Sequence, residues 1–353
     1  MLKVLGAGLS GLTAAINLRN AGVDVQVFDR VSSSGRRFLG DLQGLENWTL
    51  KEDVLDEIRG CGVKTDFFVK GFDRLTITNG DEELSFRGSR PYFYLVKRGS
   101  FEGSLDSSLM GQARDLGIRI NYNSRLPEKA ADVVCTGPDY RSAVAQDLGT
   151  VFETDADDTA VLLLNDSAAF RGYSYLLVAD GYGCLCSVVF GDRSRLNGCY
   201  QKTAEFFRDR YGIRPRNPHR CGGIGGFSMV PRSADGKRLY AGEAAGLQDF
   251  LWGFGIRSAI VSGFLAARSI VGGMDYPRLI EKRFGGFLKA SVVNRFLWER
   301  YGSGNYSKVL GMLKSSKDLN STLHRAYNFS VAHRLLLGKA RRSMRAIYSH
   351  SGL

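Results

Sequence analysis

Three glycines near the start of the sequence have a spacing that suits the binding of a pyrophosphate. Gly6, Gly8 and Gly11 form the pattern Gly-x-Gly-x-x-Gly. The first permits a tight turn, the second lets the backbone approach the phosphates, and the third lets a helix lie close to a strand. The acidic residue Asp29 follows 23 positions after Gly6, where a carboxylate can accept hydrogen bonds from ribose hydroxyls. The sequence therefore predicts a dinucleotide site.

The residues around these glycines have the pattern of one βαβ unit. Residues 3–5 form a short apolar run that predicts a buried strand, and residues 12–20 have the apolar spacing of a helix. Residues 23–29 alternate between apolar and polar side chains, as a second strand does. A strand that ends at the glycines and a helix that follows them are the context in which this spacing binds phosphate.

The order of the later segments predicts an α/β protein with a Rossmann-type domain, an inserted β-rich substrate domain and a C-terminal helical region. Strand-like runs from the middle and the late chain are expected to join the first sheet. The dinucleotide-binding domain is therefore predicted to be discontinuous, with residues 1–60, 94–150 and 222–275. The substrate domain is predicted to comprise residues 61–93 and 151–221.

The positive charge of the chain is concentrated near its C-terminal end. Residues 276–353 contain 15 basic and 3 acidic residues, which accounts for the whole net charge of +12. This range is predicted to be a basic helical region. Its last predicted helix, 335–347, has one apolar face, formed by Leu336, Leu337, Ala340, Met344 and Ile347. Such a helix can lie on an anionic membrane, dock an acidic ferredoxin-like protein, or pack against the body of the protein.

Two further segments resemble the flavin motifs of FAD-containing oxidoreductases. Gly35-Arg36-Arg37, just after Asp29, is similar to the extension of their first fingerprint. Residues 239–246 and 252–260 are similar to their second motif, in which an acidic residue holds the ribityl chain. That residue is Glu243 here, in place of the usual aspartate. The resemblance implies FAD as the cofactor, with a Gly-x-Gly-Ile turn opening a helix whose N-terminus stabilises negative charge on the reduced ring.

Two intermediate segments resemble the group-A flavoprotein pattern. Arg98 stands where that pattern has an arginine near the cofactor, and Thr136 stands where the hydroxylases carry an aspartate. The threonine argues against an NADPH-driven hydroxylase mechanism. The motifs and the resemblance together assign these residues to the cofactor: Gly6, Gly8, Ser10, Gly11, Asp29, Arg30, Arg37, Arg98, Thr136, Gly137, Gly242, Glu243, Gly253, Gly255 and Ile256.

Within this group, the order of the motifs and the modest length most resemble the geranylgeranyl reductase family. Residues 172–178 are similar to its aromatic motif Tyr-x-Trp-x-Phe-Pro, with Tyr173 kept and Tyr175 in place of the tryptophan. The resemblance implies saturation of an isoprenoid C=C bond by hydride from flavin N5, with a proton delivered to the other carbon. Such an alkene is unactivated, so its site must be apolar and dry. Aromatic residues at 250–254, including Trp252, are candidates for its wall.

The identity of the catalytic residues stays open, with Tyr173, Tyr175 and Trp252 as candidates. The source of electrons is also open between a ferredoxin-like protein and NAD(P)H. An alternative function is an FAD-dependent monooxygenase or dehydrogenase that acts on a small or aromatic molecule. A non-enzymatic flavin-binding module is a third interpretation.

Other kinds of site have little support in the sequence. The four histidines are scattered and the six cysteines lack zinc-binding spacing, so no metal site is expected. No nucleic acid partner is expected. Residues 222–226, Gly-Gly-Ile-Gly-Gly, are predicted to form a turn against the cofactor. The apolar stretch 258–273 contains Arg268 and is too short to span a bilayer, so we expect a cytoplasmic protein, peripheral at a membrane if the basic tail binds lipid.

Overall fold

A computed structural model describes residues 1–139, 143–302, 304, 306–316 and 318–348. Its strands are β1 (Leu2–Leu5), β2 (Val25–Phe28), β3 (Leu39–Glu46), β4 (Val69–Phe72), β5 (Arg74–Thr78), β6 (Glu83–Arg87), β7 (Phe93–Gly99), β8 (Arg119–Asn121), β9 (Val133–Val134), β10 (Ala143–Glu153), β11 (Thr159–Leu163), β12 (Tyr173–Ala179), β13 (Tyr182–Phe190), β14 (Arg216–Gly226), β15 (Ala234–Asp235) and β16 (Arg238–Tyr240). Its α-helices are α1 (Leu9–Asn20), α2 (Val54–Gly60), α3 (Leu105–Asp115), α4 (Leu196–Tyr211), α5 (Ile256–Gly272), α6 (Tyr276–Ile280), α7 (Gly286–Leu297), α8 (Tyr306–Lys314), α9 (Leu319–Tyr327) and α10 (Val331–Ile347).

The first sheet contains the predicted βαβ unit at its centre. Its strand order is β15-β16-β9-β1-β2-β8, and all neighbours are parallel except β15 and β16. Leu2 pairs with Val25 on one side of β1, and Val4 pairs with Val133 on the other. The chain therefore leaves β1 at a topological switch point, where open α/β sheets bind their ligands.

The other two sheets are mainly antiparallel. One has the order β14-β10-β13-β12-β11-β5-β6, with only β11 and β5 parallel, and the other has the order β3-β7-β4. The predicted domain boundaries at 150 and 221 fall inside β10 and β14, which are continuous strands of the large sheet. The division into a dinucleotide-binding domain and a substrate domain otherwise stays a prediction.

The glycine-rich segment 222–226 was predicted to be a turn, and this is wrong. It is the end of β14 and pairs in antiparallel register with β10. The glycines suit this strand because the neighbouring chain lies very close to it. A Cβ on Gly222 would lie 2.6 Å from the carbonyl oxygen of Asp147, and a Cβ on Gly225 would lie 2.9 Å from the ring of Phe227.

Backbone contacts with no room for a side chain hold α1 in place. A Cβ on Gly6 would overlap the carbonyl oxygen of Cys135, and a Cβ on Gly11 would overlap that of Gly6 itself. Helix α5 crosses α1 at Gly263, whose Cβ would overlap the carbonyl oxygen of Ser10. These contacts bring the N-terminal ends of α1 and α5 into one region of the molecule.

The apolar face predicted for the last helix packs against the body of the protein. Ala340 and Met344 of α10 are fully buried beside Val292, Val293 and Phe296 of α7. The basic residues on the other side of α10 are exposed at Arg334, Lys339, Arg342 and Arg345. No described helix has both the length and the hydropathy to cross a membrane.

A buried cluster of charges fixes the start of α5. Arg257 is 3 % exposed, and its Nε lies 2.7 Å from Glu57 Oε2 on α2. Its Nη1 lies 3.8 Å from Oε1 of the equally buried Glu46 at the end of β3. Arg257 is therefore the cation that links α5 to α2 and to β3.

We expect Arg257→Met to lower the free energy of unfolding by about 3–5 kcal/mol, because the change removes the cation beside the buried Glu46 and leaves Glu57 with Arg283 alone. Chemical denaturation measures this difference. The control is Arg268→Met on the exposed side of α5, which should change the free energy of unfolding by less than about 0.5 kcal/mol. Equal effects of the two substitutions would contradict a stabilising role for the buried cluster.

Candidate cofactor and substrate cavity

A cavity of about 680 Å³ lies between the three sheets and the N-terminal ends of α1 and α5. One end is polar and is lined by glycines and charged residues that follow β1, β2 and β9. The other end, which we call the apolar arm, is lined by aliphatic and aromatic side chains of strands and C-terminal helices. The residues of the apolar arm are Leu75, Ile77, Phe93, Leu95, Leu162, Leu164, Leu177, Val309, Leu313, Leu319 and Leu323.

The turn before α1 opens onto the polar end of the cavity. A Cβ on Gly8 would meet no atom within 4 Å, whereas Gly6 and Gly11 lie behind it in close contact with the backbone. Gly8 is the N-cap of α1 and provides no side chain to its first N–H groups. These N–H groups therefore have no partner within the helix and are free to bind an anion.

Asp29 is held at the end of β2 by two backbone N–H groups. Its Oδ2 accepts a hydrogen bond from Ala7 N at 2.6 Å, and its Oδ1 accepts one from Val31 N at 3.1 Å. The first of these bonds joins the carboxylate to the glycine turn. Asp29 faces the cavity, where its remaining lone pairs can accept the hydroxyl groups of a ribose.

Two arginines predicted to bind the cofactor already have carboxylate partners. Arg98 is buried, and its Nε and Nη2 lie 2.7 and 2.9 Å from the two oxygens of Asp106. Arg37 Nη2 lies 3.0 Å from Oε2 of Glu243, so the glutamate that replaces the usual aspartate joins the first and second flavin motifs. The ring of Phe38 lies beneath both guanidinium groups, 4.5 Å from Arg37 and 4.2 Å from Arg98.

The turn before α5 is organised by the buried carboxylate of Asp249. It accepts hydrogen bonds from the backbone N–H groups of Leu251 and Trp252, and from the hydroxyl of Tyr327 on α9 at 2.8 Å. Burial raises the pKa of Asp249 to about 6, although these three donors oppose the shift. Gly253 follows with a φ of +76°. The turn ends at the N-cap of α5, which has no side-chain hydrogen bond.

The three candidate catalytic residues lie together in the middle of the cavity. The hydroxyl of Tyr173 donates a hydrogen bond to the carbonyl oxygen of Trp252, and the two rings meet edge to face at 5.2 Å. The ring of Tyr175 lies 6.3 Å from that of Tyr173. Burial raises the pKa of both hydroxyls well above their ordinary value. The tyrosines are therefore neutral across the physiological range.

The cavity brings together most of the residues predicted from the sequence. Those that line it are Gly8, Ser10, Asp29, Arg30, Arg37, Arg98, Thr136, Gly137, Tyr173, Tyr175, Glu243, Trp252, Gly253, Gly255 and Ile256. Gly6, Gly11 and Gly242 do not line it but shape the backbone behind it; Gly242, with a φ of +64°, abuts Ser10 Oγ. The roles assigned to individual residues stay predictions. Of the aromatic wall, Trp252 and Phe254 line the cavity, whereas Phe250 lies behind the lining residue Phe227 and contacts its ring.

Several polar residues of the cavity carry no signal in the sequence. Asp41 on β3, Asp147 on β10, Gln248 and Trp48 all line it. Each is a single polar or aromatic residue outside any motif, and only the pairing of distant strands and turns places it here. The described residues contain no group of three or more His, Cys, Asp or Glu residues arranged to hold a metal ion.

Comparison with known proteins agrees with this architecture. Residues 4–38 match the family described as NAD(P)-binding Rossmann-like domain. No curated protein sequence is detectably similar to the chain. Its fold is similar to that of a geranylgeranyl bacteriochlorophyll reductase-like protein from Thermoplasma acidophilum, with a TM-score of 0.71, 17% identity and 98% of each chain covered.

Two halogenating enzymes share the fold as well. The flavin-dependent brominase Bmp2 gives a TM-score of 0.68 at 14% identity, over 97% of this chain and 99% of the brominase. The flavin-dependent halogenase CmlS gives a TM-score of 0.59 at 15% identity, over 98% of this chain and 77% of the halogenase. The predicted fold class is confirmed, and the Rossmann match together with this shared fold supports FAD as the cofactor.

Because the space at Gly8 is open whereas Gly11 is in close contact with the backbone, we expect alanine to affect cofactor binding at Gly8 and stability at Gly11. Gly8→Ala should leave the melting temperature unchanged but weaken FAD binding by about tenfold or more, because the methyl group occupies the space for the pyrophosphate. Gly11→Ala should lower the melting temperature, because its methyl group overlaps the Gly6 carbonyl. Thermal unfolding and titration of the cofactor-free protein with FAD measure the two effects. Unchanged FAD affinity in Gly8→Ala would show that phosphates do not lie at this turn.

Proposed function

We propose that this protein is an FAD-dependent oxidoreductase that reduces C=C bonds of an isoprenoid lipid of the geranylgeranyl type. The observation that carries the proposal is the continuity of the cavity, which joins the dinucleotide motifs to the apolar arm. A cofactor held at the polar end and an elongated apolar chain held in the arm would meet between the turn at Gly253 and the large sheet.

The polar end has the chemistry to bind FAD. Two residues that line the cavity each have one buried polar atom without a hydrogen-bond partner in the described chain, Oε1 of Gln248 and Nε1 of Trp48. Gln248 lies at the flavin turn, because its Nε2 donates to the carbonyl oxygen of Gly253 at 2.8 Å. The pyrimidine edge of a flavin carries both N–H donors and carbonyl acceptors, so it offers a partner of the right type to each atom. The free N–H groups of α1 and α5 supply positive potential for the pyrophosphate and for a reduced ring.

The residues of the cavity would bind and orient the reactants and keep water out. FAD supplies hydride-transfer chemistry when it is bound and reduced. The hydrogen bond from Tyr173 to Trp252 fixes two aromatic rings beside the flavin turn, and Trp298 packs edge to face on Trp252 at 5.1 Å. An isolated alkene has no polar group to hold it, so its position must come from the shape of these apolar walls.

The distribution of charge along the cavity favours an apolar substrate over a small polar one. Its charged lining residues are Glu243 and eight residues between 29 and 147, and none of the lining residues contributed by α8 or α9 is charged. The arm belongs to one continuous apolar cluster that also includes Trp48, Trp252 and Phe254. A chain drawn into it would gain roughly 25 cal/mol for each Å² of apolar surface removed from water.

Two further proposals concern partners. Electrons would come from a ferredoxin-like protein or from NAD(P)H. The exposed basic side chains of α10 offer a surface for an acidic donor or for anionic lipid, which would make the protein peripheral at a membrane.

The function is tested by following the flavin spectrum. Purified protein should be yellow and should release FAD on denaturation. After anaerobic reduction with dithionite, a geranylgeranyl lipid should reoxidise the flavin, whereas its fully saturated counterpart and an aromatic acid should not. A colourless protein that cannot take up FAD would rule out FAD as the cofactor. Rapid NADPH-driven oxygen consumption with an aromatic substrate would instead favour a monooxygenase.

The apolar arm is tested by shortening it. Leu313→Trp on α8 should slow reoxidation by a substrate of four isoprene units about tenfold or more, while a substrate of two units is less affected, because the larger side chain occupies the arm. The control is Met312→Trp, which lies next to it but is 70 % exposed and should leave both rates unchanged. Stopped-flow absorbance gives the rates. A uniform loss for both substrate lengths would place the substrate chain elsewhere.

A further inference from the structure

A row of four residues crosses the large sheet on the face that lines the cavity. Gly223 of β14 pairs with Asp147 of β10, Asp147 pairs with Val188 of β13, and Val188 pairs with Tyr173 of β12. All four line the cavity. Because neighbouring strands are about 4.8 Å apart, Asp147 lies about 10 Å from Tyr173 along this row. Tyr173 contacts the turn that opens α5. Asp147 lies two strands from Tyr173 toward β14, on the side of the cavity where Asp41 and Arg37 also lie.

Asp147 lies among a thiol donor, a glycine and a second carboxylate. Cys186 Sγ of β13 lies 3.7 Å from its Oδ2, as the donor of a weak hydrogen bond. Gly223 on the other side has no side chain, and a Cβ there would lie 3.1 Å from Asp147 Oδ1. A second carboxylate, Asp41 of β3, faces it across the cavity, with Arg37 as the nearest cation.

These surroundings affect the pKa values of both carboxyl groups, Asp147 and Asp41. Burial, followed by the negative charge of Asp41, raises the pKa of Asp147 to about 6, against the opposing effects of Cys186, Arg37 and the backbone N–H of Gly223. The pKa of Asp41 is also raised by burial, but two backbone hydrogen bonds and the charges of Arg98 and Arg37 hold it down. Because two nearby carboxylates repel each other, such a pair favours a state in which one of the two groups holds a proton.

The other titratable groups on this face are poor proton donors. The hydroxyl of Tyr173 is already donated to Trp252, and burial raises its pKa well above the ordinary value. Burial also raises the pKa of the hydroxyl of Tyr175 and of the thiol of Cys186 far above neutral. The hydrogen bond with Cys184, and then burial, raise the pKa of the Cys221 thiol. Asp147 therefore differs from them in having a proton that it can exchange close to neutral pH.

We propose that Asp147 is the catalytic acid of this cavity, giving its carboxyl proton to the alkene carbon that does not receive the hydride. The proposal rests on the function proposed above. Its O–H bond breaks as a C–H bond forms at one carbon, and the hydride of the reduced cofactor forms the second C–H bond. The alkene gains two electrons and the cofactor loses two. The carboxylate that remains regains its proton from water before the next cycle.

The protonation of Asp147 can be measured without cofactor or substrate. In an infrared titration of the purified protein, the difference between wild type and Asp147→Asn should contain a protonated-carboxyl band that disappears as the pH rises through about 6. Subtracting the two spectra cancels the bands of Glu46 and Asp249, which both proteins share. The pKa values of these groups are also raised, that of Glu46 to about 7 and that of Asp249 to about 6. Asp41→Asn should move the midpoint of the Asp147 band to lower pH, because it removes a like charge. A band absent at pH 5, or unmoved by Asp41→Asn, would overturn the assignment.

The catalytic part is tested on the FAD-loaded protein. Asp147→Asn should slow reoxidation by a geranylgeranyl lipid about 10²–10⁴-fold and remove the fall in rate above pH 6, while the FAD affinity stays unchanged. Asp147→Glu should restore part of the rate, and the exposed control Asp157→Asn should behave as wild type. If wild type reduces the lipid and Asp147→Asn does so equally fast, the acid is another group. If wild type does not reduce the lipid at all, the proposed function fails, whereas the infrared result still stands.

Discussion

The site depends on backbone contacts around α1 that leave no room for a side chain. At Gly6, Gly11 and Gly263 a methyl group would overlap a carbonyl oxygen of a neighbouring segment. Because the strands and helices approach this closely, the starts of α1 and α5 point into the same cavity. Two helix N-termini with free N–H groups then face one volume, which gives it positive potential without requiring an unpaired side-chain cation.

The charged side chains of the cavity are largely neutralised by one another. Arg98 is paired with Asp106 and Arg37 with Glu243, while Arg257 binds Glu57 just behind the flavin turn. Pairing makes the burial of these charges tolerable, and it also holds three distant parts of the chain at fixed distances. The polar end is thus rigid, and its free binding capacity lies in backbone N–H groups and in the unpartnered atoms of Gln248 and Trp48.

The large sheet provides a titratable side chain as well as one side of the cavity. Its cavity face carries the half-buried carboxyl group of Asp147 among glycine, valine and tyrosine. A polar group in such surroundings is costly unless it is hydrogen-bonded or neutral, and here desolvation and the Asp41 charge favour the neutral state against the weak Cys186 donor. The apolar surroundings that the proposed alkene substrate requires therefore also preserve an exchangeable proton on Asp147.

Local sequence determined the parts of this protein that depend on short spacings. The βαβ unit, the open Gly8, the position of Asp29, helix α5 and the apolar face of α10 all follow from patterns within stretches of about thirty residues or fewer, and the structure contains each of them. The apolar arm, the Arg37–Glu243 pair, the strand at 222–226 and the Asp41–Asp147 pair were decided only by tertiary structure. They join residues tens to hundreds of positions apart, through strand pairing and helix crossing whose register depends on the packing of the whole core, and no local pattern carries that information.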